Sequence, residues 1–161
     1  MNPQSVTALL LAGASWHLTP DGWGPVKIGM SRDQVSHALH AKLSGEALDD
    51  PDSCIEMDAA GYPDVYFMFE DKKLARVSLV EPSKVTTPRG IAVGASADAV
   101  RRAYGKALKA EPHYYEDLPS EYLTYWTVPK KRGVRFETNS KRQVQVIHAG
   151  TAAIQYVEGC A

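Results

Sequence analysis

Val26-Lys27-Ile28-Gly29-Met30-Ser31-Arg32-Asp33-Gln34-Val35 is followed, about 65 positions later, by Ile91-Ala92-Val93-Gly94-Ala95-Ser96-Ala97-Asp98-Ala99-Val100. The two stretches align without a gap, with Gly, Ser, Asp and Val in step. The match runs on through Ala38 with Ala103, Leu43 with Leu108 and Glu46 with Glu111. Self-similarity of this kind is the mark of a duplicated supersecondary unit. Each copy has one physical grammar. A short β-branched run ends at a glycine that permits a tight turn, and a serine then stands where its hydroxyl can accept from the first free amides of a helix. Gln34 completes a capping box in the first copy, and Asp33 and Asp98 place negative charge at the favourable end of each helix dipole. Val35, Ala38, Leu39 and Leu43 in one helix, and Val100, Ala103, Tyr104 and Leu108 in the other, fall at three- and four-residue spacings that give each helix one apolar face.

Beyond each helix the period changes to two. Val65, Phe67 and Phe69 alternate with Tyr66, Met68 and Glu70, and after the Glu70-Asp71-Lys72-Lys73 turn a second strand carries Leu74, Val77 and Leu79. In the second half Val134 and Phe136 lead through Asn139-Ser140-Lys141 into Val144, Ile147 and Ala149. Further strands are expected at Ser53 to Met57, Tyr122 to Val128 and Ala152 to Glu158. The expectation is an α+β fold of two tandem helix-plus-antiparallel-sheet repeats, with about eight strands and the two helices packed on one face. The first repeat spans residues 15–81 and the second 91–161. Residues 82–90, with Pro82, Thr86-Thr87 and Pro88 closed by Gly90, form a linker short enough to keep the copies packed together.

The chain of 161 residues is 44% hydrophobic, enough to bury a core, and its 18 Lys and Arg nearly cancel 19 Asp and Glu. That balance offers no field for a nucleic acid or an anionic membrane. The basic runs Lys130-Lys131-Arg132 and Lys141-Arg142 sit beside turn signals and fit solvated hairpin tips. Val6 to Ala14 is far shorter than the roughly 20 residues of a membrane span, so no membrane insertion is expected. It has the length of a signal-peptide apolar region, and Ala12-Gly13-Ala14 obeys the small-x-small cleavage rule, which reads residues 1–14 as a leader without the usual basic start. The two cysteines, Cys54 and Cys160, would be inert thiols in a reducing cytosol. In an oxidising compartment they would be expected to pair, and closing a loop of about 105 residues would stabilise the fold by roughly 4 to 5 kcal/mol in the chain-entropy model. Leader and cysteines together point to a periplasmic or secreted protein.

The Ile28-Gly29-Met30-Ser31 opening that leads to Val35 resembles the start of the repeats in the β-lactamase inhibitory protein and in small outer-membrane assembly lipoproteins such as BamE. The wider pattern is similar to an uncharacterised group of exported bacterial proteins: Gly22-Trp23-Gly24-Pro25-Val26-Lys27-Ile28-Gly29-Met30, Thr86-Thr87-Pro88-Arg89-Gly90-Ile91, Tyr104-Gly105 and Tyr156-Val157-Glu158-Gly159-Cys160. The resemblance covers roughly residues 22 to 158. It implies a non-catalytic binder of the cell envelope or of secreted enzymes. The chain lacks a lipobox cysteine after its apolar run, so the resemblance does not extend to lipid anchoring.

Candidate chemistry is sparse. Asp49, Asp50 and Asp52 could face a hard cation, but they lack the glycine-punctuated spacing of a calcium loop and read as an acidic turn around Pro51. His37 and His40, with Asp33 one turn before, could present two imidazoles to a metal, but no third ligand is evident and outward polar positions explain them. No Gly-x-Ser-x-Gly elbow occurs, and Gly22-Trp23-Gly24 is half a dinucleotide fingerprint with no helix placed to use it. No enzyme, cofactor or metal is expected. The aromatics carry the remaining signal. Tyr114, Tyr115, Tyr122, Tyr125 and Trp126 crowd one stretch, and Tyr62, Asp64 and Tyr66 would extend the same surface if the two sheets run on continuously. Part of this set is needed to fill the core, and the rest supplies large rigid area with a polar handle. The expected function is to bind a protein through the open face of the sheet, possible partners being a protein or a glycan of the envelope. A carbohydrate-binding, lectin-like module is the alternative, and a small enzyme the remote one.

Overall fold

A computed structural model describes residues 16–161. The apolar leader proposed for residues 1–14 lies outside them. The chain opens with three two-residue strands, β1 (Leu18–Thr19), β2 (Gly22–Trp23) and β3 (Val26–Lys27), which form a small antiparallel sheet of their own. Helix α1 (Arg32–Leu39) and strands β4 (Leu43–Ser44), β5 (Cys54–Ala59), β6 (Tyr62–Glu70) and β7 (Lys73–Val80) complete the first half. The second half carries α2 (Ala97–Tyr104) and strands β8 (Lys109–Pro112), β9 (Glu121–Val128), β10 (Arg132–Thr138) and β11 (Val144–Gly150). All eight later strands form one antiparallel sheet in the order β4-β5-β6-β7-β11-β10-β9-β8, joined across the middle by β7 and β11. The fold is α+β. Among the described residues no helix is long and apolar enough to cross a membrane.

The two quoted stretches do the same work. Ser31 accepts from the Gln34 amide while the Gln34 side chain accepts from the Ser31 amide, and Ser96 accepts from the Ala99 amide. Gly29 (φ 95°) and Gly94 (φ 93°) both take the left-handed backbone that glycine tolerates. Each glycine then docks its turn onto a strand. The Gly29 amide donates to the Leu74 carbonyl and the Leu74 amide to Met30. The Gly94 amide likewise donates to Val144, and the Val144 amide to Ala95. Both helices end earlier than their apolar spacing suggests. His40 closes α1 in the left-handed region and Gly105 (φ 64°) closes α2, so Leu43 lies on β4 and Leu108 follows a 3-10 turn.

Strand register sorts the sheet into two faces. On one, Leu123, Phe136, Ile147, Leu79 and Val65 stand in a row across five strands, with Tyr125, Val134, Ala149, Val77 and Phe67 in the next. Val35 and Leu39 of α1 and Val100 and Tyr104 of α2 pack against these rows in one continuous core that spans both halves. Residues 82–90 are packed too: Ser83 and Thr87 are buried, and the Leu18 amide donates to the Thr86 carbonyl.

The opposite face has no helix over it. It is crossed by the segment after β11, expected as a strand at Ala152 to Glu158. That segment instead forms a 3-10 turn (Ala152–Gln155) and an irregular strap ending at the disulfide between Cys54 and Cys160. The bridge fits an oxidising compartment. The strap cannot extend the sheet because β7 and β10 already flank β11, so it lies across the sheet. Met68, Ala75 and Ala153 form a second small core beneath it, against the bridge.

Gly150 (φ 145°) is where the chain leaves the sheet for the strap, and a Cβ there would collide with the Ala75 carbonyl oxygen. Gly150→Ala is expected to destabilise by about 3 kcal/mol or more, whereas Gly61→Ala, with positive φ but open space, is expected to cost about 1 kcal/mol. Urea unfolding of the two variants measures the difference.

Candidate functional site

On the face without helices the register sets a polar row from β8 to β5: Lys109, Thr124, Arg135, His148, Ser78, Tyr66 and Asp58. On the central strands each of these alternates with core residues, so burying the apolar set fixes where the polar set points. At the centre His148 Nδ1 lies 2.7 Å from Ser78 Oγ, and His148 Nε2 lies 3.8 Å from Glu137 Oε2. Glu137 Oε1 accepts from His113 at 2.8 Å and from Gln145 at 3.2 Å. His113 stacks on Tyr122 at 4.8 Å between ring centroids.

Burial and electrostatics assign the protons. Burial alone would raise the Glu137 carboxyl, but its close contacts with His148 and His113 outweigh it and hold the group down to about 2. Burial, reinforced by the Arg76 charge, pushes the His148 imidazole down to about 4 despite the Glu137 carboxylate. At neutral pH an ionised carboxylate, which can only accept, therefore faces a neutral imidazole. That pairing favours the tautomer with the proton on Nε2 and leaves Nδ1 to accept from the Ser78 hydroxyl. The order hydroxyl, imidazole, carboxylate is that of a nucleophilic relay with the ring nitrogens exchanged. Such a relay also needs free donors for a developing oxyanion. Ser78 stands mid-strand on β7, between β6 and β11, where the surrounding amides serve the ladders on both sides.

The flanking charges are paired. Arg76, buried, bonds the Glu56 carboxylate and donates to the strap carbonyls of Ala153 and Tyr156 at 3.1 and 3.3 Å. Arg135 bonds Glu111 and Thr124, each at 2.9 Å, and lies 4.7 Å over the Tyr122 ring. The Tyr156 hydroxyl donates to Glu70 at 2.7 Å. Two cavities adjoin the strap. One, of about 340 Å³, is lined by Tyr66, Ser78, Glu137, His148 and Arg76 with Tyr156 of the strap. The other, of about 500 Å³, lies between the strap and Tyr114-Tyr115.

The eight surface candidates divide. Tyr66, Tyr114 and Tyr115 are exposed, and the strap adds Tyr156, which sequence reasoning placed within a strand. Asp64 is half-buried on β6, in the stretch where the β5–β6 register shifts between the Asp58–Tyr66 and Ala59–Tyr62 pairs. Tyr122 and Trp126 also face away from the helices, but Tyr122 is buried beneath His113 and Trp126 packs beside Gly133. Tyr62 and Tyr125 do not share this surface. Tyr62 meets Trp23 edge-on, and Tyr125 packs on Tyr104 and beneath Arg89. The acidic turn is internally satisfied: Asp52 pairs with Arg32 at 2.6 Å and Lys72 at 3.4 Å, and Asp50 accepts from the Asp52 amide. His37 and His40 lie on and just after α1, with ring centroids 6.0 Å apart. Ser78, His113, Glu137 and His148 were missed as a group because four separate segments supply them. The available signal was a polar residue at a single alternating position on each central strand.

The two shifted groups set an acid limit. The unfolded chain binds a proton at His148 between pH 6.5 and about 4 that the folded chain refuses. This stability is present above pH 6.5 and is lost as pH falls through about 4, amounting to roughly 3 kcal/mol. The Glu137 contribution is lost between 4.5 and about 2. In urea titrations across pH 3.5 to 8, His148→Gln is expected to flatten the upper limb and to shrink the lower one, because His148 also helps to hold Glu137 down.

No protein family model and no curated protein matches the chain. Among solved structures it is similar to an extracellular protein containing an SCP domain from Bacillus anthracis, with 10% identity and a TM-score of 0.34. The match covers 94% of this chain and 48% of that one, so the chain spans about half the length of that protein. At that TM-score nothing about fold or function passes from one to the other.

Proposed function

We propose that this is a non-catalytic periplasmic or secreted binding protein, inhibitor-like in mode, that holds a protein partner on the uncovered face of its eight-stranded sheet. One observation carries the reading: four exposed tyrosines, Tyr66, Tyr114, Tyr115 and Tyr156, rim two adjoining cavities on that face. Tyrosine is a favoured anchor because it brings large area at small entropic cost and keeps a hydrogen-bonding hydroxyl. Pairing of Arg76, Arg135 and Glu137 beneath supports a preformed surface that binds without a cofactor. A double copy of one ancestral unit accounts for the frame. The glycine-serine turns dock on strands in the same way, and the strand order runs outward from β7 and β11 in mirrored sequence.

A second reading, a saccharide site, is favoured by the smaller cavity, where Tyr66 and Tyr156 accompany Glu137, His148 and Arg76. The two separate in one experiment. The immobilised protein and its Tyr114→Ala/Tyr115→Ala variant are exposed to envelope extract and to a glycan array. A protein retained by the wild type and weakened about 30-fold or more in the variant, the loss of 2 kcal/mol expected of an anchor, is the predicted result. Saccharide binding with no protein retained would sink it.

A further inference from the structure

The larger cavity has a distinctive lining. Tyr114, Tyr115 and Tyr156 bring three aromatic rings, Glu70 and Glu158 bring two carboxylates, and no Lys, Arg or His contributes to its wall. The Tyr114 and Tyr115 rings stand 4.8 Å apart at 84°, so they present faces nearly at right angles, and they are 71% and 61% exposed. The third ring is held in place: Tyr156 donates its hydroxyl to Glu70, and the disulfide pins the strap four residues further on. Beneath the strap, Arg76 is committed to Glu56 and two carbonyls, so Glu70 and Glu158 are left to face the cavity without a cation from that side.

Aromatic faces set at an angle attract a cation through the ring quadrupole, and carboxylates beside them add charge complementarity. A planar guanidinium satisfies both, stacking on a ring while its N–H groups bond a carboxylate. We propose that this cavity receives an arginine side chain presented by a loop of the protein partner. The inference rests on the protein-binding reading above and names the anchor on the other side of the contact. The strap and the Tyr114-Tyr115 loop form the two walls, and Glu70 and Glu158 select against neutral side chains.

The test titrates Nα-acetyl-arginine amide, Nα-acetyl-norleucine amide and tetramethylammonium into the 15N-labelled protein with its disulfide intact, following backbone amide shifts. Arginine amide is expected to move Tyr115, Tyr156, Glu158 and Gly159 with a dissociation constant on the order of 10 mM, as befits a single side chain. Norleucine amide is expected to move them at least tenfold less. The Glu70→Gln/Glu158→Gln variant retains an acceptor for Tyr156 and is expected to weaken arginine binding roughly tenfold. Its unchanged amide spectrum away from the site would show that it folds. Equal responses to norleucine and arginine amides would overturn the cationic anchor while leaving the tyrosine groove as a contact surface. Tighter binding of tetramethylammonium would overturn it in favour of a quaternary ammonium headgroup. Silence toward all three would overturn it outright, and the capture experiment would still decide separately whether the face binds a protein.

Discussion

The pairing of β7 with β11 is the contact on which everything else depends. It makes one eight-stranded sheet out of two four-stranded halves and lets α1 and α2 share a core. It also brings Ser78 opposite His148 at the middle of the other face. The pairing joins segments about 70 residues apart, so nothing local in the chain enforces it. What enforces it is the alternation of its two strands. A slip of β11 by one residue against β7 would drive His148 into the apolar core and turn Ile147 outward. The polar pair therefore specifies register, an attested use of buried polarity, whatever its net contribution to stability.

The central part of this polar layer is tolerable in a buried setting because its charges are paired within reach, although the Arg76 Nε is buried without a partner. Arg76 has Glu56 and two strap carbonyls, Arg135 has Glu111 and Thr124, and Glu137 has His113 and Gln145. Removing one partner would leave the other buried and unpaired, which costs more than the pair contributes. The strap is part of this arrangement. Its carbonyls complete Arg76, and Gly159 (φ 62°) passes so close to the Glu56 carboxylate that a Cβ would approach an oxygen to 2.8 Å. Cover and polar layer are thus mutually dependent.

The sequence made the helices legible because their signals are local. Ser31, Gln34, Ser96 and the glycines before them act within a few residues. The helix ends were less legible: Leu43 and Leu108 continue the apolar spacing, while left-handed closures at His40 and Gly105 stop the helices first. The strap was misread because Ile154 and Tyr156 alternate as strand residues do. What denies them a ladder is that both neighbours of β11 are already taken. Exposed Tyr66, Tyr114 and Tyr115 were legible as surface aromatics, but Tyr62 and Tyr125 were grouped with them because composition carries no information about faces. The Ser78, His148 and Glu137 grouping needs the register of three strands, which no single segment encodes.

The bridge also imposes an order of events on assembly. Cys54 and Cys160 are 106 residues apart, and they are the two cysteines of the chain. As the polypeptide emerges, Cys54 waits as a free thiol on a half-formed sheet until the whole second half has followed. Within residues 1–161 neither cysteine has an alternative thiol, so these residues offer no second intramolecular bridge. A thiol left waiting is then exposed to capping by small thiols, to over-oxidation and to links between molecules, the last rising with the concentration of chains.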